Sequence, residues 1–133
     1  MPEWITVRTP GDRGVATSRA PFDPVTTEAL VRAARRVRRE PSADPHFSIY
    51  VVLLEFAADD FGLYVGRTGL TPEERFRNHK AGYKASKSVR KFGVGLLPAL
   101  YKHLNPLAYE PATRAEVALA EALRRTGIRV KQA

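Results

Sequence analysis

Few side chains in this chain are equipped for chemistry, and one stretch holds most of them. There is no cysteine, which removes a thiolate nucleophile, a disulfide framework and a zinc ribbon. Of the three histidines, His46 and His103 stand at no ligand spacing and read as incidental. His79 follows Arg75 by four positions, which puts both on one face of a helix. Tyr50 and Tyr64 fall in strand-like runs, where a tyrosine is ordinarily a half-buried packing residue with a satisfied hydroxyl. Glu116 has a competing explanation, because Thr113-Arg114-Ala115-Glu116 is a capping-box pattern in which the glutamate only satisfies a helix N-terminus. Glu121, the other carboxylate of that segment, lies about 140° further round the helix and faces elsewhere. Between residues 67 and 102, nine basic residues (Arg67, Arg75, Arg77, Lys80, Lys84, Lys87, Arg90, Lys91 and Lys102) accompany two acidic ones, Glu73 and Glu74. Lys and Arg that neutralise phosphates release condensed counterions, so this stretch suits a polyanion.

The elements that must position these groups follow from periodicity. Residues 1 to 25 carry scattered Pro, Gly and Arg and read as an irregular arm with Trp4 as its anchor. From Thr26 or Thr27 a helix places Leu30, Ala33, Ala34 and Val37 on one face, with the arginines of 32 to 39 mostly elsewhere, and Pro41 stops it. Ser48 to Phe56 and Gly62 to Gly66 are β-branched and aromatic runs around a turn-like AADDF, which predicts a hairpin. Thr71, Pro72 and Glu74 form a complete helix start, with Thr as N-cap, Pro at the first position and Glu closing a capping box. That helix runs to about Ala81, where Gly82 ends it. A short turn of helix and a loop follow; Ala99 to Leu104 reads as a third strand before the Asn105-Pro106 turn, and Ala112 to Arg125 as the last helix, with a short β-like IRV at the end. The expectation is an α/β (α+β) fold with a three-stranded, mainly antiparallel sheet flanked by helices. The arm and basic helix take residues 1–44 and the main domain 45–133, with Phe56, Phe61, Phe76, Leu119 and Leu123 in the core.

Composition agrees with one compact domain. The chain has 133 residues, 44% hydrophobic and 27% charged, with a formal charge of +8 and a pI near 10.2. No apolar run approaches the roughly 18 to 20 residues of a bilayer span, and the N-terminus lacks a signal-peptide core, so the cytoplasm is the expected location and no membrane partner is expected.

Composition and spacing do not name a reaction. The segments SIYVV, GLYVGRTGLTPEERFRNHKAG and EPATRAEVALAEALRR together resemble the GIY-YIG nuclease superfamily over about residues 46 to 126. Ser48-Ile49-Tyr50 matches the first triplet with Ser for Gly, and Tyr64-Val65-Gly66 the second with Val for Ile. Arg75 and His79 stand in the expected helix, and Ala112 precedes Glu116 by the expected four positions. The resemblance implies a DNA endonuclease using Mg²⁺ or Mn²⁺. It casts Tyr50 as general base, Tyr64 as the group orienting water or phosphate, Arg75 on the scissile phosphate and Glu116 as the metal ligand. A tyrosine is a weak base at neutral pH, its ordinary pKa being about 10, so His79 is expected within about 3 Å, or one water, to take its proton. Arg67 is a candidate phosphate contact under the same resemblance, and Lys80, Lys84, Lys87, Arg90 and Lys91 are expected on the DNA backbone rather than as a merely solvated surface. Many relatives carry an Asn shortly after the last helix, whereas this chain ends GIRVKQA, which leaves Gln132, another group or a water to fill that place. Two other functions compete: a nucleic-acid-binding module that keeps the fold without turnover, and an interaction protein whose basic surface meets an acidic partner.

Overall fold

A computed structural model describes residues 21–133; the arm and Trp4 anchor expected for residues 1 to 25 lie almost wholly outside it. Four helices and four strands follow in the order α1 (Pro24–Arg36), β1 (Ser48–Ala57), β2 (Asp60–Thr68), α2 (Pro72–Ala81), α3 (Lys87–Phe92), β3 (Gly93–Leu96), α4 (Tyr109–Arg124) and β4 (Val130–Gln132). The sheet order is β3-β1-β2-β4. β1 pairs antiparallel with β2 and with β3, and β4 runs parallel to β2.

The sheet therefore has four strands rather than three, and its third strand is not the expected one. Ala99 to Leu104 lies in two 3-10 turns, Pro98–Leu100 and Lys102–Leu104. Pro98 lacks the N–H a ladder needs and pre-sets the φ of a turn's first position. The strand instead is Gly93–Leu96, whose two glycines read as breakers in sequence. Gly93 is needed there because a Cβ would come within 2.5 Å of the Val89 carbonyl. Pairing along β1 continues past β3: Leu97 N–H donates to the Val51 carbonyl, and the Asn105 side-chain amide both accepts from Ile49 N–H and donates to Ile49 O, each at 2.7 Å. The β-like C-terminus becomes β4, aligned with Leu63, Tyr64 and Val65.

Helix ends show what sequence can and cannot mark. α2 has the expected form: the Thr71 hydroxyl accepts from Glu74 N–H, Glu74 reaches back to Thr71, and Gly82 closes the helix at φ 87. α1 begins two residues earlier than expected, because the Asp23 carboxylate caps it by accepting from Thr26 N–H at 2.7 Å. It also stops at Arg36, short of Pro41, where His103 Nε2 donates to the carbonyls of Ala34 and Val37 at 3.0 and 3.1 Å. His103, expected to be incidental, thus satisfies the Val37 carbonyl at a helix end and adds a donor to the Ala34 carbonyl that Val37 N–H already meets. α4 starts at Tyr109, not Ala112, since Pro111 falls in its first turn, where no intrahelical N–H is required.

β1 is buried along Ile49–Leu54, which requires cover on both faces of the sheet. Leu30 and Ala34 of α1 join the same core as Leu119 and Leu123 of α4 and Phe76 of α2, so the N-terminal helix is part of the main packing unit. Phe56 and Phe61 are partly buried against that core. Among the described residues, no helix is long and apolar enough to cross a membrane.

Candidate active site

The hairpin register sets the first pair of groups. Tyr50 stands opposite Gly66, and Val52 opposite Tyr64. Side chains two apart share a face of a strand, so the two tyrosines emerge on the same side, with ring centroids 6.1 Å apart. Gly66 makes that possible: a Cβ there would lie 2.6 Å from Tyr50 Oη and 2.7 Å from its Cζ. The Tyr50 ring lies across the bare backbone of the opposite strand.

α2 supplies the third member. Its capping box fixes the start of the helix, and His79 then turns inward with Phe76, both wholly buried. The imidazole centroid is 5.9 Å from Tyr50 and 5.7 Å from Tyr64, and His79 Nε2 lies 2.8 Å from Tyr50 Oη. The expected proximity is present. The other ring nitrogen is also engaged, accepting from Ser86 N–H at 3.0 Å. Arg75, one turn before, donates to the carbonyls of Lys84 at 2.8 Å and Tyr83 at 3.4 Å, and so holds the loop that leads from Gly82 to Ser86.

Burial governs the electrostatics. It pushes the Tyr50 hydroxyl well above the usual tyrosine range; the neighbouring Tyr64 adds to this and the Arg75 charge opposes it. Tyr64 is also raised by burial, against the pull of hydrogen bonds to Ser86 and Tyr50 and the charge of Arg75, with Glu116 adding to the rise. Burial, then repulsion from Arg75, push His79 down to about 4. The pair rests as neutral phenol and neutral imidazole at neutral pH.

Glu116 belongs to a second cluster. Because α4 begins at Tyr109, Glu116 stands about two turns into the helix. It caps nothing, and the capping-box explanation fails. It is 2% exposed; Oε1 accepts from Arg67 Nη1 and Oε2 from Gln132 Nε2, each at 3.0 Å. Arg67 also lies over the Tyr109 ring, 5.3 Å from its centroid. Tyr64 joins the two clusters, since the Glu116 charge acts on its hydroxyl. Glu121 faces outward and pairs with Arg125 at 3.9 Å.

The basic residues divide. Lys80 is engaged within the fold, its Nζ donating to Arg90 O at 3.1 Å and Gly93 O at 2.9 Å, where it pins the end of α3 to β3. Lys84, Lys87, Arg90 and Lys91 are exposed around α3. Lys84 has φ 47 and lies over the exposed Tyr83 ring at 5.5 Å, on the loop that Arg75 holds.

Three contributors carry no sequence signal of their role. Ser86 acts through its backbone N–H, which no side-chain pattern marks. Tyr109 lies before the expected helix start. Asn105 reads as a turn residue, yet its amide completes the edge of β1 one residue from Tyr50. Compared with family models, curated proteins and solved structures, the chain finds no match in any of the three.

Proposed function

We propose that this chain is a divalent-metal-dependent endonuclease that hydrolyses DNA phosphodiester bonds, with Tyr50 as general base. The observation that supports this reading best is the buried hydrogen bond of 2.8 Å between Tyr50 and His79, beside Tyr64 and within reach of the Arg75 charge. Burying polar groups costs free energy that a purely structural core avoids, and titratable clusters displaced by burial and charge are concentrated at functional sites.

A magnesium-type ion would take Glu116 as its protein ligand. Such an ion would keep several waters and share phosphate oxygens, so one carboxylate would suffice on the protein side; Glu116 would provide it, in exchange for its present contact with Arg67. When bound, a cation there would offset charge on the departing 3′-oxygen. The remaining work falls to the chain. Arg75, anchored by two loop carbonyls, presents its other N–H groups to the phosphoryl oxygens. Tyr50 first gives up its own proton to solvent, and the resulting phenolate takes a proton from water as the water oxygen bonds to phosphorus. The bond from phosphorus to the 3′-oxygen breaks, and that oxygen takes its proton from solvent. Arg67 and the exposed Lys84, Lys87, Arg90 and Lys91 would hold the backbone.

A second reading is a nucleic-acid-binding module without turnover. It is favoured by two facts: both Glu116 oxygens are already hydrogen-bonded, and Tyr50 is only 1% exposed. Incubating the protein with supercoiled, linear and branched DNA in Mg²⁺, Mn²⁺ or EDTA separates them. The nuclease reading expects nicking that EDTA abolishes; salt-dependent binding with no nicking in either metal selects the module.

A further inference from the structure

We propose that His79 is a positioning residue that donates a hydrogen bond to Tyr50 Oη through Nε2–H, in a tautomer set by the backbone of Ser86, and that it does not accept the tyrosine proton. The role rests on Tyr50 being the base; the direction of the hydrogen bond does not.

The far side of the ring decides the tautomer. Ser86 is the N-cap of α3, and its hydroxyl accepts from Val89 N–H. An N-cap residue's own N–H has no partner inside the helix, and here it points at His79 Nδ1 over 3.0 Å. A backbone N–H can only donate, so Nδ1 must carry a lone pair. A neutral imidazole bears one proton, which is therefore on Nε2, the nitrogen 2.8 Å from Tyr50 Oη. Turning the ring over would present carbon to both partners and break both hydrogen bonds, which fixes the ring orientation. The imidazolium is disfavoured too, because an Nδ1–H would meet the Ser86 N–H head-on. Burial and Arg75 act in the same direction.

With Nε2 already protonated and Nδ1 engaged by Ser86, the imidazole has no site for a proton from Tyr50. The expected relay is thereby reversed. A donor aimed at the phenolic oxygen favours its ionised form over the neutral one, and it leaves the Tyr50 hydrogen on the side of Oη away from His79. Ser86 thus couples the start of α3 to the tyrosine through a single ring.

Two measurements test this. ¹⁵N-detected long-range NMR of the wild-type imidazoles near neutral pH should show His79 protonated on Nε2 and bare on Nδ1. An Nδ1–H tautomer, or a protonated ring, overturns the proposal. Plasmid nicking in Mg²⁺ supplies the second. His79→Gln places an amide donor near Tyr50 and should keep the rate within about tenfold of wild type. His79→Asn and His79→Ala leave Tyr50 without a donor and should slow nicking on the order of 100-fold, the scale set by removing one hydrogen-bond donor from a developing anion. A Gln variant as inactive as Ala, with wild-type circular dichroism, overturns the positioning role. The imidazole spectrum needs neither a folded variant nor cleavage. An Nε2–H signal in a wild-type chain that cuts no DNA removes the proposed function and leaves the hydrogen-bond direction standing.

Discussion

Replacing Tyr50 with phenylalanine keeps the ring that lies across Gly66 and removes only the oxygen that meets His79. Tyr50→Phe is therefore expected to fold normally and bind DNA, yet to lose nearly all nicking; a variant that nicks at the wild-type rate shows the hydroxyl to be a packing detail. His79 carries a separate prediction, on stability. An exposed imidazole titrates near 6.5, whereas the folded chain holds this one down to about 4. Between those values the unfolded chain binds a proton that the folded chain refuses. The stabilisation is thus complete above about pH 6.5 and fades as pH falls towards 4, by on the order of 3 kcal/mol. Urea unfolding of wild type and His79→Gln at pH 7 and pH 4.5 checks it, since the variant has no ring to titrate and should show the smaller acid destabilisation. Equal destabilisation would mean that His79 is not the titrating group.

Among the elements, β4 matters beyond its length because its parallel register with β2 delivers Gln132 to Glu116. Gln132→Ala should raise the Mg²⁺ concentration needed for half-maximal nicking by about 10- to 100-fold, the usual effect of removing a group that orients a metal ligand. Gln132→Glu should lower it instead, as a second negative charge beside the carboxylate attracts the cation. A metal titration of both variants decides the matter, and an unchanged midpoint would make Gln132 a bystander. The hairpin and α2 were legible in sequence because their signals are local: runs of β-branched and aromatic residues around a turn, a two-sided capping box and a terminal glycine. Tyr50, Tyr64, Arg75 and His79 inherit their placement from those two elements. Other features depend on distant partners. Gly93-Val94-Gly95-Leu96 is a strand only because β1 offers it an edge, and Ala99–Leu104 fails as one because Pro98 diverts it. Glu116 resembles a cap in sequence, but Pro111 lies inside the helix and moves its start upstream. The acceptor role of His79 Nδ1 comes from the start of α3, seven residues on.

At the scale of the molecule, the positive charge around α3 is exposed and adjoins the loop that Arg75 holds. DNA binding should consequently be steep in salt. Neutralising Lys84, Lys87 and Lys91 together should lower the slope of log K against log salt by about 0.9 for each phosphate that the variant no longer neutralises, with no change in the circular dichroism spectrum. Lys80 is excluded from that set because its ammonium is spent on two backbone carbonyls; replacing it should cost stability rather than salt dependence. Fluorescence anisotropy with a short duplex, from about 50 to 300 mM NaCl, reads the slope. An unchanged value in the triple variant would move the binding surface to another face.

The fit of Tyr50 over Gly66 also bears on how the hairpin finds its alignment. A slip of one residue between β1 and β2 would bring Val65 or Arg67 opposite Tyr50 in place of Gly66 and turn every alternate side chain to the wrong face. The flat approach of the ring tolerates no Cβ at that point. The glycine is therefore a proofreading position: a misaligned hairpin cannot seat its tyrosine, and the same close approach that brings Tyr50 beside Tyr64 rejects the wrong pairing.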